Sequence, residues 1–436
     1  MGYERTKRVP FCVLVVMAMI AVTVNSAVAV DVTAPEEDAK LHTWTIAMYW
    51  ASDNSLDEYT DYFIDVWMES LTNTEDISLC VFTDRLDQPS NLSTLTEDGW
   101  VEKESYPEAN ASSPETLASF IEYALTEPSL ASENFMLMIQ DHGNGYLGLC
   151  SDEGLPDSDI PKMWMSIDDL GNGVRAGLNA AGKSIDIIAL DACTLGTIEI
   201  AYELRETASY LVASELGVPF DGMNYRELMS GFSTDPTISP RNLACKLVDD
   251  YEAWYTAPLH TLPTLYPYMQ DFASLSVIDL YALDDIVDAF SSFTDAVTPK
   301  VSSLGTYIKT AATQADVSTW INNMGTWFYP DIRVMFKDLA LTTEDEYPDV
   351  ALACNKIVTA ADSAIIHDWA SWRMRGLVTG LSVFACPSTG IFDVNWDTFD
   401  RAYDSVGLDF VEDSGWDVVL TEYFYTLKQY GDLPAA

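Results

Sequence analysis

Basic residues are scarce in this 436-residue chain: 22 Lys and Arg stand against 68 Asp and Glu, with only 4 His and a formal net charge of -46. Such a chain repels phosphate backbones and anionic bilayers, which excludes nucleic acid and anionic membrane surfaces as partners. The carboxylates fit a solvated exterior in a salty medium, where self-repulsion is screened, and at low salt they attract cationic substrates. Several motifs are missing as well. There is no His-Glu-x-x-His, no Cys-x-x-Cys and no Gly-x-Ser-x-Gly, so zincin, paired-thiolate and serine-elbow chemistry have no local anchor. No internal repeat or low-complexity tract is present, and no run after Val24 has the apolar length of a membrane span.

The N-terminus is the one long apolar stretch. Arg5, Lys7 and Arg8 precede an apolar core from Val9 to Val24, and Ala27-Val28-Ala29 offers a small-x-small cleavage site. This pattern reads as a signal peptide over residues 1–29 and implies a secreted, extracellular protein with no stable membrane insertion after signal removal. Cutting there removes Glu4 and three basic residues, leaving 67 acids against 19 bases. A lead or short propeptide then covers 30–40, a catalytic domain 41–260, and a packed C-terminal extension 261–436. Six cysteines remain: Cys80, Cys150, Cys193, Cys245, Cys354 and Cys386. An even count outside the cell invites disulfides, although Cys80 and Cys386 sit in apolar, strand-like runs that suit buried thiols.

Along the mature chain, strand-like segments at 43–50, 77–82, 135–140, 185–190 and 210–214 alternate with helix-like ones at 56–71, 113–125, 166–181 and 195–207. A hairpin or irregular section occupies 91–106. Alternation of this kind predicts βαβ units, hence an α/β fold with a mainly parallel sheet flanked by helices. Beyond residue 242 the pattern turns mostly helical, with a strand at 276–280, a long amphipathic helix over 350–372 and a return to strand at 376–385.

Two strand ends carry the chemistry. The run Phe135 to Ile139 ends in Gln140-Asp141-His142-Gly143-Asn144-Gly145, and Ile185 to Leu190 ends in Asp191-Ala192-Cys193-Thr194. Function collects at the carboxyl ends of parallel strands, and neighbouring strands would bring a thiol and an imidazole together. The helix expected from Leu195 would set partial positive charge beside the Cys193 thiol. Gly143 lets a substrate approach the backbone, with its N–H free to face an oxyanion. His42, His260 and His367 lack such a setting.

Other readings of these segments are weaker. Gly143-x-Gly145-x-x-Gly148 matches a dinucleotide fingerprint, but an acidic loop holding Asp152, Glu153, Asp157 and Asp159 follows where a helix is required. The pairs Asp157/Asp159 and Asp168/Asp169 lack the glycine and terminal glutamate of an EF-hand loop. Asn91-Leu92-Ser93 and Asn110-Ala111-Ser112 are glycosylation triplets of a common kind.

In order along the chain, Trp44 to Leu56, Asp141-His142-Gly143, Ile185 to Cys193, Ala201 to Leu204, Val212 to Glu215 with Asp221 to Tyr225, Leu275 to Asp279 and Gly380 to Phe384 resemble the clostripain-like cysteine peptidases, relatives of caspases, legumains and gingipains. The resemblance covers nearly the whole mature chain. It implies a caspase-like sandwich and a His142/Cys193 dyad acting through a thioacyl-enzyme, with Gly143 and Cys193 N–H groups as oxyanion donors. It further implies an endopeptidase cutting protein or peptide substrates after Arg or Lys, with Asp191 and Asp221 as the acidic pocket residues. Met223 stands where the family often has tryptophan, which changes one pocket wall. Some members cut themselves between the dyad residues; of Lys162, Arg175 and Lys183, Lys162 is the expected site, with a one-chain enzyme that needs no processing as the alternative. No cofactor is needed for this chemistry. Calcium is carried over from some relatives as an option, with no ligand set visible in the sequence. The alternatives are the same dyad with a non-basic preference, a transpeptidase, or a catalytically silent extracellular binding protein.

Overall fold

Among the residues described by the computed structural model, 41–154, 164–257, 269–315, 329–385, 403 and 407–430, nine strands form one sheet. The chain runs β1 (His42–Ser52), α1 (Asp57–Ser70), β2 (Ile77–Arg85), β3 (Ser90–Thr96), β4 (Gly99–Tyr106), α2 (Pro114–Thr126), β5 (Ser132–Gln140), β6 (Leu149–Ser151) and β7 (Trp164–Met165). There follow α3 (Ile167–Ala181), β8 (Ile185–Asp191), α4 (Ile198–Glu203), β9 (Ala208–Ala213), α5 (Tyr225–Thr234) and α6 (Pro240–Thr256). The last part holds β10 (Ser274–Asp279), α7 (Leu283–Val297), α8 (Val301–Ala315), α9 (Ile332–Thr343), α10 (Pro348–Ala364), β11 (Ile365–Ala370) and helices Asp409–Ser414 and Trp416–Tyr430. Sheet order is β11-β10-β9-β8-β5-β1-β2-β3-β4. The five strands from β9 to β2 are parallel, and the edges on both sides are antiparallel.

The uninterrupted apolar runs are explained by burial of both sheet faces. In β1, Ala47, Tyr49 and Ala51 face one core while Ile46, Met48 and Trp50 face the other, the period of two that a pleated strand imposes. The first core is completed by Phe120 of α2, Val174 of α3, Phe290 of α7, Phe336 of α9 and Ile357 of α10. The second takes Phe63 and Trp67 of α1, Phe232 of α5 and Leu247 of α6. Helix starts follow their caps. Ser113 accepts from the Glu115 N–H ahead of α2, with Pro114 in the first turn, and Ser166 accepts from Asp169 ahead of α3.

Several expectations need correction. The helix read over 195–207 shrinks to α4, because Thr194 takes a left-handed φ of 60° and Thr197 is the N-cap. The helix read over 350–372 ends at Ala364. Ile365-Ile366-His367-Asp368-Trp369-Ala370 leaves it as β11, its β-branched and aromatic residues pairing with β10. Residues 376–385 form no strand; they make isolated bridges, of Ser382 to Thr197 and Asp331 and of Val378 to Arg375. Residues 41–436 cluster as one compact unit, and β10 and β11, from the C-terminal extension, continue the sheet beyond β9. Disulfides are absent from the described residues: Cys80, Cys150, Cys193, Cys245 and Cys354 are free thiols. No described helix is long and apolar enough to cross a membrane. Residues 1–40, Asp157, Asp159, Lys162, His260 and Cys386 lie outside the described residues.

Candidate active site

β5 and β8 are adjacent and parallel, with Gln140 opposite Asp191. His142 and Cys193 each stand two residues past that pair, so both leave the sheet at one level. The backbones touch there: a Cβ on Gly143 would lie 2.2 Å from the Cys193 carbonyl oxygen and 3.0 Å from its nitrogen. Only glycine permits this approach. Neither the Gly143 nor the Cys193 N–H meets an acceptor among the described residues.

The Cys193 turn is pinned from the neighbouring elements. Thr194 donates its N–H to the Leu216 carbonyl at 2.9 Å and Gly196 to Ser214 at 2.7 Å, while Ser382 bridges Gly196 and Ile198. A β-branched residue at positive φ is costly, so Thr194 marks strain held in place by these bonds. The Sγ of Cys193 accepts from the Val218 N–H at 3.3 Å. Four residues separate Cys193 from α4, so the expected helix N-terminus does not face the thiol. Burial instead raises the thiol pKa; the Val218 bond opposes this, and the Asp191 and Asp141 carboxylates reinforce it. At His142, burial lowers the imidazole pKa against an upward pull from Glu153. Both shifts favour a neutral thiol beside a neutral imidazole.

The histidine has a partner that sequence reasoning missed. Ser55, just beyond β1, places its Oγ 2.9 Å from His142 Nε2. Next to it, Asn54 donates to Asp141 Oδ1 at 2.7 Å and to the Ser151 carbonyl at 3.0 Å. Asp141 also accepts from the Ser151 N–H, and its burial raises its pKa well above the usual range. Thus the β1 exit holds the histidine turn. The strand-end rule that singled out His142 and Cys193 applies equally to β1 and could have found Asn54 and Ser55. Val218 and Tyr225 lie in a loop and at a helix start, with no comparable sequence signal.

Asp191 Oδ2 lies 2.4 Å from the Cβ position of Gly222, whose φ is +60° and which directly follows Asp221 in the chain. Both carboxylates are buried. Asp191 Oδ2 accepts from the Met223 N–H at 3.1 Å and from the Tyr225 hydroxyl, while Oδ1 is buried without a hydrogen-bond partner. Burial pushes Asp191 up to about 6, against the pull of the Tyr225 and Met223 bonds. Met223, at the tryptophan position of the family pattern, is buried in the second core.

The remaining candidates separate from the site. His42 meets the Glu75 and Ser129 carbonyls, and His367 meets Asp249 at 2.8 Å. Arg175 of α3 is paired with Glu203 of α4 at 2.6 Å, and Lys183 donates to the Leu125 carbonyl. Asp168 and Asp169 form the first turn of α3, where Asp169 accepts from Ser166 Oγ. They cap a helix.

The clostripain family profile, peptidase C11, matches residues 48–423. Clostripain of Hathewaya histolytica is 30% identical over 135 residues, a stretch covering 28% of this chain and 24% of that protein. The chain thus matches about a quarter of that relative's length. Two solved structures share the fold. A C11 protease of Parabacteroides distasonis, described as an inactive zymogen, superposes with a TM-score of 0.63 at 18% identity, over 86% of this chain and 99% of that one. A C11 cysteine protease of Bacteroides thetaiotaomicron, described as secreted and bound to an irreversible peptide inhibitor, gives 0.60 at 17% identity with the same coverage. With the profile spanning most of its length and the fold in common, this chain belongs to the clostripain family of cysteine peptidases.

Proposed function

We propose that this protein is a secreted cysteine endopeptidase that cleaves protein or peptide substrates after Arg or Lys, with Cys193 as nucleophile and His142 as acid and base. The observation that carries the reading is the close approach of Gly143 to Cys193 at the ends of β5 and β8. With the Nε2 proton donated to Ser55, Nδ1 holds the lone pair and takes the thiol proton as Sγ attacks the scissile carbonyl. The carbonyl oxygen becomes negative, and the uncommitted Gly143 and Cys193 N–H groups are its donors in this reading. As the C–N bond breaks, His142 returns the proton to the leaving amine. A water, deprotonated by the same imidazole, then releases the acid from the thioacyl-enzyme and restores the thiol.

The basic preference rests on Asp191 and Asp221, two buried carboxylates around Gly222, with Asp191 Oδ1 left for a cationic side chain. A guanidinium suits paired carboxylate oxygens better than an ammonium, so Arg is preferred to Lys. Self-processing after Lys162 belongs to the reading, since Arg175 and Lys183 are held in structure. Export rests on the basic and apolar pattern of residues 1–29 and on the Bacteroides relative described as secreted.

The test is hydrolysis of fluorogenic peptides ending in Arg, Lys or Asn by the wild type and Cys193→Ala. Turnover confined to the wild type and to basic substrates supports the proposal. Turnover of Asn substrates alone would point to a non-basic preference. No turnover, with Cys193 also inert to alkylation, would favour a silent binding protein.

A further inference from the structure

Between the thiol and the buried Asp191 carboxylate runs a short segment, Val218-Pro219-Phe220-Asp221-Gly222. Its first residue donates an N–H to Cys193 Sγ at 3.3 Å, and its last packs against Asp191. Pro219 turns the chain by accepting from the Gly222 N–H at 2.8 Å. Phe220 is thus flanked by one contact with the nucleophile and one with the acidic residue.

The Phe220 ring is only half-buried and joins none of the apolar cores. Its aromatic contact is Tyr59 of α1, edge to face, with ring centroids 3.6 Å apart. Tyr59 is half-buried as well and backs onto the second core. It follows Ser55, the partner of His142, at the start of α1. The two rings therefore join the segment that carries the histidine's partner to the segment that touches the thiol. Part of this aromatic surface is left to solvent beside the dyad, and such surfaces anchor the side chains of bound peptides. Backbone groups for an extended peptide stand next to it. The Val218 carbonyl and the Phe220 N–H meet no partner among the described residues, and a peptide strand can pair with groups of this kind.

We infer that Tyr59 and Phe220 form the subsite for the substrate residue that precedes the scissile Arg or Lys, and that this subsite takes an apolar or aromatic side chain. The inference rests on the proposed peptidase reading and deepens it. A basic side chain held at Asp191, with its carbonyl over Sγ, leaves the preceding residue beside the segment that joins those two points. Apolar side chains gain there by burial against the rings. An acidic one meets the like charge of Asp191 and Asp221 and is disfavoured. The cut proposed within this chain has the same pattern, since Ile160 and Pro161 precede Lys162.

The experiment compares hexapeptides that differ only in the residue before Arg, which is Phe, Leu, Gly or Asp. Binding to the full mature chain carrying Cys193→Ala is measured by calorimetry, and hydrolysis by the wild type gives kcat/KM. The Phe and Leu peptides are expected to exceed the Gly and Asp peptides about tenfold in both. Phe220→Ala should bring the Phe and Gly peptides to within about twofold of each other, whereas Phe220→Leu keeps most of the difference. Tyr59→Ala should act like Phe220→Ala, with Tyr59→Phe unchanged, because the ring and not the hydroxyl is used. Equal affinity for the four peptides would overturn the subsite while cleavage of Arg peptides leaves the peptidase reading standing. So would a Phe220→Ala loss of the same size on the Phe and Gly peptides, which would make the ring a support for Val218. Failure of the wild type to cleave any of them would instead remove the peptidase reading, and the subsite with it, whatever the order of binding.

Discussion

Ser55 Oγ sits 2.9 Å from Nε2 of His142, on the ring edge opposite the nitrogen assigned to the thiol. This bond orients the ring. A single hydrogen bond contributes about 0.5–1.5 kcal/mol, roughly a two- to thirteenfold effect. Ser55→Ala is expected to lower kcat by about that factor with KM little changed, and Ser55→Thr to restore most of it. A fall in KM-dependent terms alone, with kcat intact, would deny Ser55 this role.

Gly143→Ala is expected to abolish turnover while retaining the helical and strand signal. Its new Cβ would meet the Cys193 carbonyl oxygen at 2.2 Å, and backbone on both sides must part. Overpacking of this kind costs about 1–3 kcal/mol, and moving the nucleophile costs rate on top. Circular dichroism with kcat checks both. Activity within about threefold of wild type would show that the two strand ends do not need this contact.

Asp191→Asn preserves an acceptor for Tyr225 and Met223 but removes the buried charge. Loss of a buried partner for a cationic side chain is a large discrimination term. Arg-ending substrates should lose about a hundredfold or more in kcat/KM, with neutral substrates changed far less. Equal losses on both would make Asp191 a support for the fold and not a selector.

The pH profile follows from the directions of the shifts. His142 acts while unprotonated, and burial lowers its pKa. The acid limb of kcat is therefore expected below the ordinary imidazole value of about 6.5. Asp191 stands at about 6 in the free protein. As pH falls through that value the carboxylate takes up a proton, and kcat/KM for basic substrates should fall beyond the loss in kcat. Bound Arg stabilises the anion, so this second limb belongs to kcat/KM and not to kcat. A kcat limb above pH 6.5 would contradict the burial argument.

Much of the fold could be read from local pattern. The apolar runs at 135–140 and 185–190 became β5 and β8 because burial on both faces requires them to be apolar throughout. The errors came where tertiary partners decide. Ile365 to Ala370 reads as helix by continuity with α10, yet β10 offers an edge, and pairing there outweighs continuation. Leu195 shares helical spacing with Ile198 and Tyr202, but the bonds of Thr194 to Leu216 and of Gly196 to Ser214 hold the chain outside the helix until Thr197 caps it. For the proposed site, the local signal was glycine beside histidine at one strand end and cysteine at another, and the structure sets these two strand ends side by side. The contacts of Ser55, Val218 and Tyr225 join segments far apart in sequence, and nothing local marks them.

A sheet that extends past residue 260 also determines what proteolysis can do. A cut after Lys162 divides the chain between β5 and β8, which are neighbours in the middle of the sheet. One piece then carries β1 to β5 and the imidazole, the other β8 to β11 and the thiol. Separating the pieces would expose the sheet's central hydrogen-bond ladder and both apolar faces, so a chain nicked there would persist as two interlocked polypeptides. With His142 and Cys193 as the proposed dyad, the working centre would lie on the seam between them, and neither piece alone would hold a complete one.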